Sequence, residues 1–399
     1  MKNIQKLHLI SFSYGVNFTT TIFTLYLLFH SITLQQIIIS QILYALASFI
    51  GEIPSGMLSD KLGHKKLVTV AYGMFIFSPL VILIAPSAFT LYIGQIINGL
   101  AGAALSGSQE ALYFDSYQEE GREPKDYKKS FSRFSSLPIL GFILSSGIAG
   151  IMLQLLGNES YNLLYLFNIF STVITTIIAT TLFETRRQSE IEDSSPLVLF
   201  KESMRTIKNN KLLFSLATFG LLSLNGEYLL RQTYQPHFEV AGVLPLFFGL
   251  ALAFGAVLNF LSIRYSYKLE KYLKLEQILL LHSFLQGILF IVLGSLKLPW
   301  VLVTLFILLF GMFNAQNPIV SDYVNSRVES KNRATVLSSI SFIRQLGQTL
   351  IRFVYAFIIG MLSIGSVYIL QGAYLLIGGL IGYWLLVRCG CSHKISHMG

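Results

Sequence analysis

Charge is what this sequence has least of. Asp, Glu, Lys and Arg make up 12% of its 399 residues, about half the share in an ordinary soluble protein. A disordered chain is charged and poor in apolar residues, so disorder is excluded. A soluble globule is excluded as well, because 53% hydrophobic residues would leave large exposed apolar patches that aggregate. Cysteine is nearly absent. The two that occur, Cys389 and Cys391, lie in the C-terminal tail and supply neither a disulfide framework nor a zinc spacing. Catalytic signatures are missing too. There is no G-x-x-x-x-G-K-[ST] phosphate loop, no H-E-x-x-H, no G-x-S-x-G and no grouping of metal ligands. The seven His are scattered, with His64, His393 and His397 in polar segments. The chain therefore reads as neither an enzyme nor a holder of a cofactor or metal.

Long apolar runs are what it has instead. A bilayer core about 30 Å thick takes about 20 mostly apolar residues as a helix. Twelve windows qualify, at 8–29, 35–57, 67–85, 88–113, 134–155, 160–183, 213–233, 241–263, 276–295, 298–319, 336–358 and 364–387. The first has no small-residue cleavage site and leads into another span, so a retained helix is expected there, not a signal peptide. Of the 29 Lys and Arg, all but Arg231, Lys297, Arg344 and Arg352 fall in alternate intervals: 1–6, 58–66, 114–133, 184–212, 264–275, 320–335 and 388–399. Lys and Arg concentrate in cytoplasmic loops, so the alternation predicts an even count and two cytoplasmic termini. The net charge of +9 then sets orientation. Nucleic-acid binding is not expected, since no aromatic–basic platform accompanies it.

The longest polar interval, 184–212, divides the windows six and six. Its second part, Leu197 to Lys211, could lie on the surface as a short amphipathic helix. The expected architecture is all-α and integral to the membrane: twelve transmembrane helices in two six-helix bundles, 1–183 and 213–399, joined by a cytoplasmic linker over 184–212.

Between the second and third windows runs Gly51-Glu52-Ile53-Pro54-Ser55-Gly56-Met57-Leu58-Ser59-Asp60-Lys61-Leu62-Gly63-His64-Lys65-Lys66. Gly56 would permit close helix approach, and Gly63 a tight turn. Asp60 is a fixed anion at the membrane surface. Lys61, Lys65 and Lys66 hold the segment inside, and Asp115 is their expected partner. This G-x-x-x-D-K-x-G-x-K-K core resembles the cytoplasmic signature loop of the major facilitator superfamily, and with the six-plus-six windows the resemblance covers the whole chain. It implies two bundles rocking about a central site. For Asp60 it implies an interaction with the positive end of the eleventh helix, which starts near Ala334–Thr335.

The stretch from Gly99 to Ser116, a small-residue run followed by E-A-L-x-x-D-S, is similar to bacterial members of that superfamily. One departure matters. Where many drug antiporters have R-x-x-Q-G, this chain has Gln95-Ile96-Ile97-Asn98-Gly99, so their usual proton-coupling arrangement is not implied. The fifth window lacks the antiporter Gly-Pro pair. Gly141, Gly147 and Gly150 there, and Gly378 with Gly382 in the twelfth, read most simply as packing positions. The matching loop of the second half keeps Arg264, Lys268, Lys271 and Lys274 but has lost the glycines and the Asp.

An ionisable side chain within a span is expensive unless paired or wetted, about 2.5–3.5 kcal/mol at mid-helix on insertion scales. Five need an account: Glu52, Glu110, Glu227, Arg344 and Arg352. Glu52 and Arg344 lie at similar depth, about 9–12 Å from the same surface at 1.5 Å per residue. In the resembled fold their helices face each other, which predicts a pair that closes and opens; Glu110 competes for either role, and Glu52 reaching the headgroups is the simpler alternative. Glu227 and Arg231 are four apart, hence on one helix face. Arg344, Gln348 and Arg352 form a polar stripe. Asn17, Gln95, Asn98, Asn225, Asn314 and Asn317 add uncharged groups to an expected central cavity, each with an interhelical hydrogen bond as its alternative.

The expected function is secondary active transport by alternating access, with export of a small amphipathic compound or drug against protons. Glu110 and Glu52, then Glu227, are the candidate proton carriers, because burial raises a carboxyl pKa into range. The expected partners are a small-molecule substrate, protons and membrane lipid. The expected setting is a monomer spanning a bacterial inner or plasma membrane many times. Two readings stand beside it: proton-coupled symport of a polar nutrient, and a non-transporting receptor or sensor on the same fold.

Overall fold

Helical structure occurs in each of the twelve apolar windows, continuous in some and interrupted in others. The computed structural model describes residues 2–185, 204–205, 207–208, 210–325 and 333–388, and among these there is no strand. Most of the linker with its expected surface helix, the tail with Cys389, Cys391, His393 and His397, and the side chains of Asp60 and of 333–339 lie outside the described residues. Nine segments among the described residues are long and apolar enough to cross a membrane, and one of them, Pro124–Thr180, runs through two successive helices. The first and eleventh windows are not among the nine. The first is interrupted, and the eleventh carries the Arg344–Gln348–Arg352 stripe.

Packing of the backbone divides the chain into two units, residues 1–191 with 244–253, and 192–243 with 254–399. The first contains α1 (Asn3–Gly15), α2 (Phe23–Phe29), α3 (Leu34–Leu62), α4 (His64–Ile84), α5 (Ala88–Leu105), α6 (Ser108–Glu119), α7 (Tyr127–Leu156) and α8 (Ser160–Thr180). Two of these starts are written locally. Thr33 and Gln36 close a reciprocal capping box on α3, and Ser87 and Thr90 do the same on α5, each satisfying donors that a helix N-terminus leaves open. Tyr72, Tyr113, Tyr117 and Phe134 pack with Leu7, Leu67 and Leu112 in one buried cluster, where the Tyr113 and Phe134 rings lie 4.5 Å apart. Helices touch at small residues. A Cβ on Gly141 of α7 would strike the backbone of Phe12 in α1, and one on Gly99 of α5 the backbone of Tyr44 in α3. Gly141 is thus a packing position.

The second unit contains α9 (Lys211–Leu222), α10 (Glu227–Val240), most of α11 (Leu246–Tyr265), α12 (Leu275–Ser295), α13 (Pro299–Met312), α14 (Asn317–Asn325), α15 (Arg333–Ile358) and α16 (Ile364–Arg388). Its backbone seam joins α12 and α16, where Gly287 faces Gly372 and Gly294 faces Gly365 reciprocally. The glycines are seven apart on each helix, two turns, so the two helices stay in contact over that length. Gly378 and Gly382 press on Leu222 and Phe219 of α9, so this G-x-x-x-G is also packing.

Four windows are not single helices. The first breaks between Gly15 and Phe23, with a 3-10 turn at Thr19–Thr21. The fourth breaks at Ser106–Gly107, where Gly107 takes φ +72°, a conformation that favours glycine. The seventh breaks between Leu222 and Glu227, and the tenth between Met312 and Asn317. These are the first and fourth windows of each half.

Candidate functional site

The breaks collect most of the polar residues singled out in the sequence. Asn17 was expected in mid-helix; it lies in the first break. Its Oδ1 accepts from Thr19 Oγ1 at 2.9 Å and from the Thr20 N–H at 3.1 Å, and its own N–H donates to Ser145 Oγ at 3.0 Å. Side chains of this kind offer the backbone an alternative to the helix ladder. Glu110 was expected in one helix with Gln95 and Asn98. It stands instead, exposed, in the first turn of α6 beyond Gly107, because Gly107 turns the chain out of α5. Glu227 opens α10 rather than ending a span, since the chain leaves α9 at Leu222. An acid in a first helical turn is favoured by the helix dipole.

In the second unit the seventh and tenth windows supply a connected polar set. Asn225 Nδ2 donates to the Phe313 carbonyl at 2.9 Å, tying one break to the other. Arg344 Nη1 donates to Asn317 Oδ1 at 2.8 Å, and Asn317 Nδ2 to Asn314 Oδ1 at 3.2 Å. Glu227 and Arg231 form the i, i+4 pair at 3.1 Å, with the Arg231 guanidinium 4.6 Å over the Phe310 ring. Arg352 sits 4.0 Å over the Tyr228 ring. Stacking of Arg on an aromatic face stabilises a cation where water is scarce, which gives Arg352 a local account, as the Asn317 bond does Arg344. Gln348 is half-buried between Arg344 and Arg352 on the same helix.

In the first unit the signature segment is a one-residue turn. Gly63 (φ +95°, ψ +152°) stands between α3 and α4. Glu184 Oε1 accepts the Lys65 N–H at 3.2 Å, so a carboxylate lies at the start of α4. His64 Nδ1 shares a 2.8 Å hydrogen bond with Ser59 Oγ, which also accepts from Ser108 Oγ at 3.0 Å. Asp115 Oδ2 lies 3.9 Å from His64 Nε2 and accepts from Thr185 Oγ1 at 3.3 Å. Among the described residues the ion contact of Asp115 is therefore with His64, not with Lys61, Lys65 or Lys66; the histidine faces it from the start of α4. Gly56 does not mediate the expected close approach. Among the described residues no heavy atom lies within 4 Å of where its Cβ would be. The neighbouring contact is made by Ser55, whose Oγ donates to the Ala103 carbonyl at 3.1 Å.

Glu52 is exposed on α3, Gln95 is buried on α5, and the buried Asn98 Oδ1 has no hydrogen-bond partner among the described residues. Glu52 and Arg344 fall in different units. Sequence reasoning missed Glu184, Ser59, Ser108 and the pairing role of His64. Only the His-Lys-Lys run after Gly63 hinted at the last.

The sequence model of the Major Facilitator Superfamily matches residues 7–352. The chain belongs to that superfamily. The uncharacterized MFS-type transporter YxaM of Bacillus subtilis (strain 168) is 25% identical over 369 residues, 89% of this chain and 88% of the relative. An uncharacterized transporter of Buchnera aphidicola subsp. Acyrthosiphon pisum (strain APS) is 23% identical over 314 residues, 76% of each. Among solved structures, nucleoside transporter NupG superposes with a TM-score of 0.80 at 14% identity, over 96% of this chain and 99% of that one. The D-xylose-proton symporter gives 0.69 at 13%, over 97% and 98%. These structures share the fold. This MFS protein is thus a multi-pass transporter of the inner membrane, of a family that binds small-molecule substrates, typically as monomers, and whose members are generally not enzymes.

Proposed function

We propose that this MFS transporter exports a small amphipathic compound in exchange for protons, its two halves, 1–183 and 213–399, alternating access to a site near the membrane midplane. The observation that carries the reading is the recurrence of helix breaks in the first and fourth windows of each half. Interrupted spans at corresponding positions of two halves mark substrate sites in secondary transporters, and Asn17, Glu110, Asn225, Glu227, Asn314 and Asn317 all lie at or beside those breaks. An amphipathic cargo is favoured because Asn17, Asn225, Asn314 and Asn317 are committed to backbone or to one another. That leaves few amides for a polar solute, while Tyr14 offers exposed aromatic surface.

Glu52 is the leading proton carrier. Among the described residues it has no ion-pair partner, whereas Glu227 is held by Arg231. Pairing of Glu52 with Arg344, and of Asp60 with the start of α15, would close the cytoplasmic side, and protonation of Glu52 would release it. The test is purified protein in liposomes with an imposed pH gradient, a substrate panel and an internal pH dye. Amphipathic compounds should drive proton movement in wild type. Glu52→Gln should abolish that movement and keep substrate binding; unchanged coupling in Glu52→Gln removes the assignment. The unpartnered Asn98 carbonyl favours a second reading, uptake of a polar solute by symport. A gradient answered by sugars or nucleosides and not by amphipaths would put that reading first.

A further inference from the structure

The second unit holds a cavity on one side of the α13/α14 break. It measures about 280 Å³ and lies between the end of α11, the first turns of α12 and the α13/α14 break. Tyr265, Leu269, Leu281, His282, Leu285 and Met312 line it. Two of its polar groups are already committed: His282 Nε2 bonds the Met312 carbonyl at 2.8 Å, and Ser266 Oγ donates to the Ile263 carbonyl at 3.0 Å. Ser262 and Gln316 are the other polar residues of a lining that is otherwise apolar or aromatic. Small-molecule sites usually run from about 300 to 1,000 Å³, so the space suits an alkyl chain better than a whole organic cargo.

The mouth gives the second half of the argument. Leu281 and Leu285 are exposed and continue into exposed Ile288, spacing that makes one face of α12. That is an apolar stripe open to the bilayer. Beside it, exposed Arg264, Lys268 and Lys271 stand on and just after α11. The Lys268 ammonium lies 4.6 Å over the ring of Tyr265, itself part of the lining, and the Arg264 guanidinium 5.7 Å from it. The acids nearby are turned inward, Glu270 half-buried and Glu276 buried. An apolar hole open to lipid beneath a cationic rim complements one molecule class, on the membrane side where anionic lipid and basic loops meet.

We propose that this cavity binds one anionic phospholipid, an acyl chain among Leu281, Leu285 and Met312 and the phosphate at Arg264 and Lys268. The full chain in mild detergent, titrated with phosphatidylglycerol or phosphatidylcholine and read by native mass spectrometry, tests it. Wild type should retain one phosphatidylglycerol in clear preference to phosphatidylcholine. Arg264→Gln with Lys268→Gln should lower that retention about fivefold per cation removed. Ala315→Phe, which fills the cavity from its wall, should lower retention of both lipids. Lys128→Gln with Lys129→Gln, a basic pair of the first unit, should change nothing. Equal retention of the two lipids by wild type, an unchanged Arg264/Lys268 variant, or an equal loss in the Lys128/Lys129 variant overturns the site. Displacement of the lipid by a transported compound would assign the cavity to cargo and overturn it too. If Ala315→Phe does not elute as a monodisperse peak, the two charge variants decide alone.

Discussion

The turn between α3 and α4 and the turn between α11 and α12 occupy matching places in the two halves, and they are built differently. In the first, one glycine joins two long helices, and Glu184, His64, Ser59 and Asp115 converge on it from three parts of the chain. In the second, a 3-10 stretch at Ser266–Lys271 makes a looser connection, and its cations point outward or stack on Tyr265. Both carry enough Lys and Arg to keep a loop in the cytoplasm. Only the first fixes backbone geometry. Topology therefore needs charge alone, and the first turn adds to its charge a fixed backbone frame.

The sharpest way to break this contrast is Gly63→Ala. The observed φ and ψ are open essentially to glycine alone, so a side chain there costs about 1–3 kcal/mol, and its Cβ would collide with the Glu184 carboxylate. The melting midpoint should fall by several degrees and transport with it. Tyr267→Ala, in the second turn, should stay within about 0.5 kcal/mol of wild type, as exposed substitutions do. Equal losses in the two variants would erase the distinction. A smaller effect is expected from Glu184→Gln, which removes the anion at the start of α4, about 0.3–1 kcal/mol; a thermal shift measured in low and high salt should shrink as salt rises. The smallest is the coupling between His64 and Asp115. A double-mutant cycle with His64→Ala and Asp115→Asn should give about 0.2–1 kcal/mol, and additive single variants would show that the 3.9 Å contact carries no energy.

Much of the fold was readable because hydropathy measures what lipid demands, about 20 apolar residues per crossing. The breaks were not readable, for the same reason. Averaging over a window sees that 213–233 is apolar and does not see that Ser223–Gly226 leaves the helix. Asn17 and Asn225 each bond a backbone group at a break, and in sequence such an amide looks identical to one that only faces a ligand. Gly56 and Gly63 make a related point. Both belong to the same motif, yet one meets open space and the other takes φ +95°, and only backbone geometry separates them. Glu184 could not have been placed at Lys65, because the two are 119 positions apart in the chain and no local pattern links them. The Glu227–Arg231 pair was legible, since its spacing alone puts both on one face.

The seam of facing glycines between α12 and α16 has a mechanical meaning. Two helices whose main chains touch at points two turns apart, with side chains such as Leu376 and Ile291 wedged against the glycines, have little room to roll or slip past each other. They must travel as a single plank through any transport cycle. A chemical staple between them should leave turnover intact, where a staple across one of the four interruptions should freeze it.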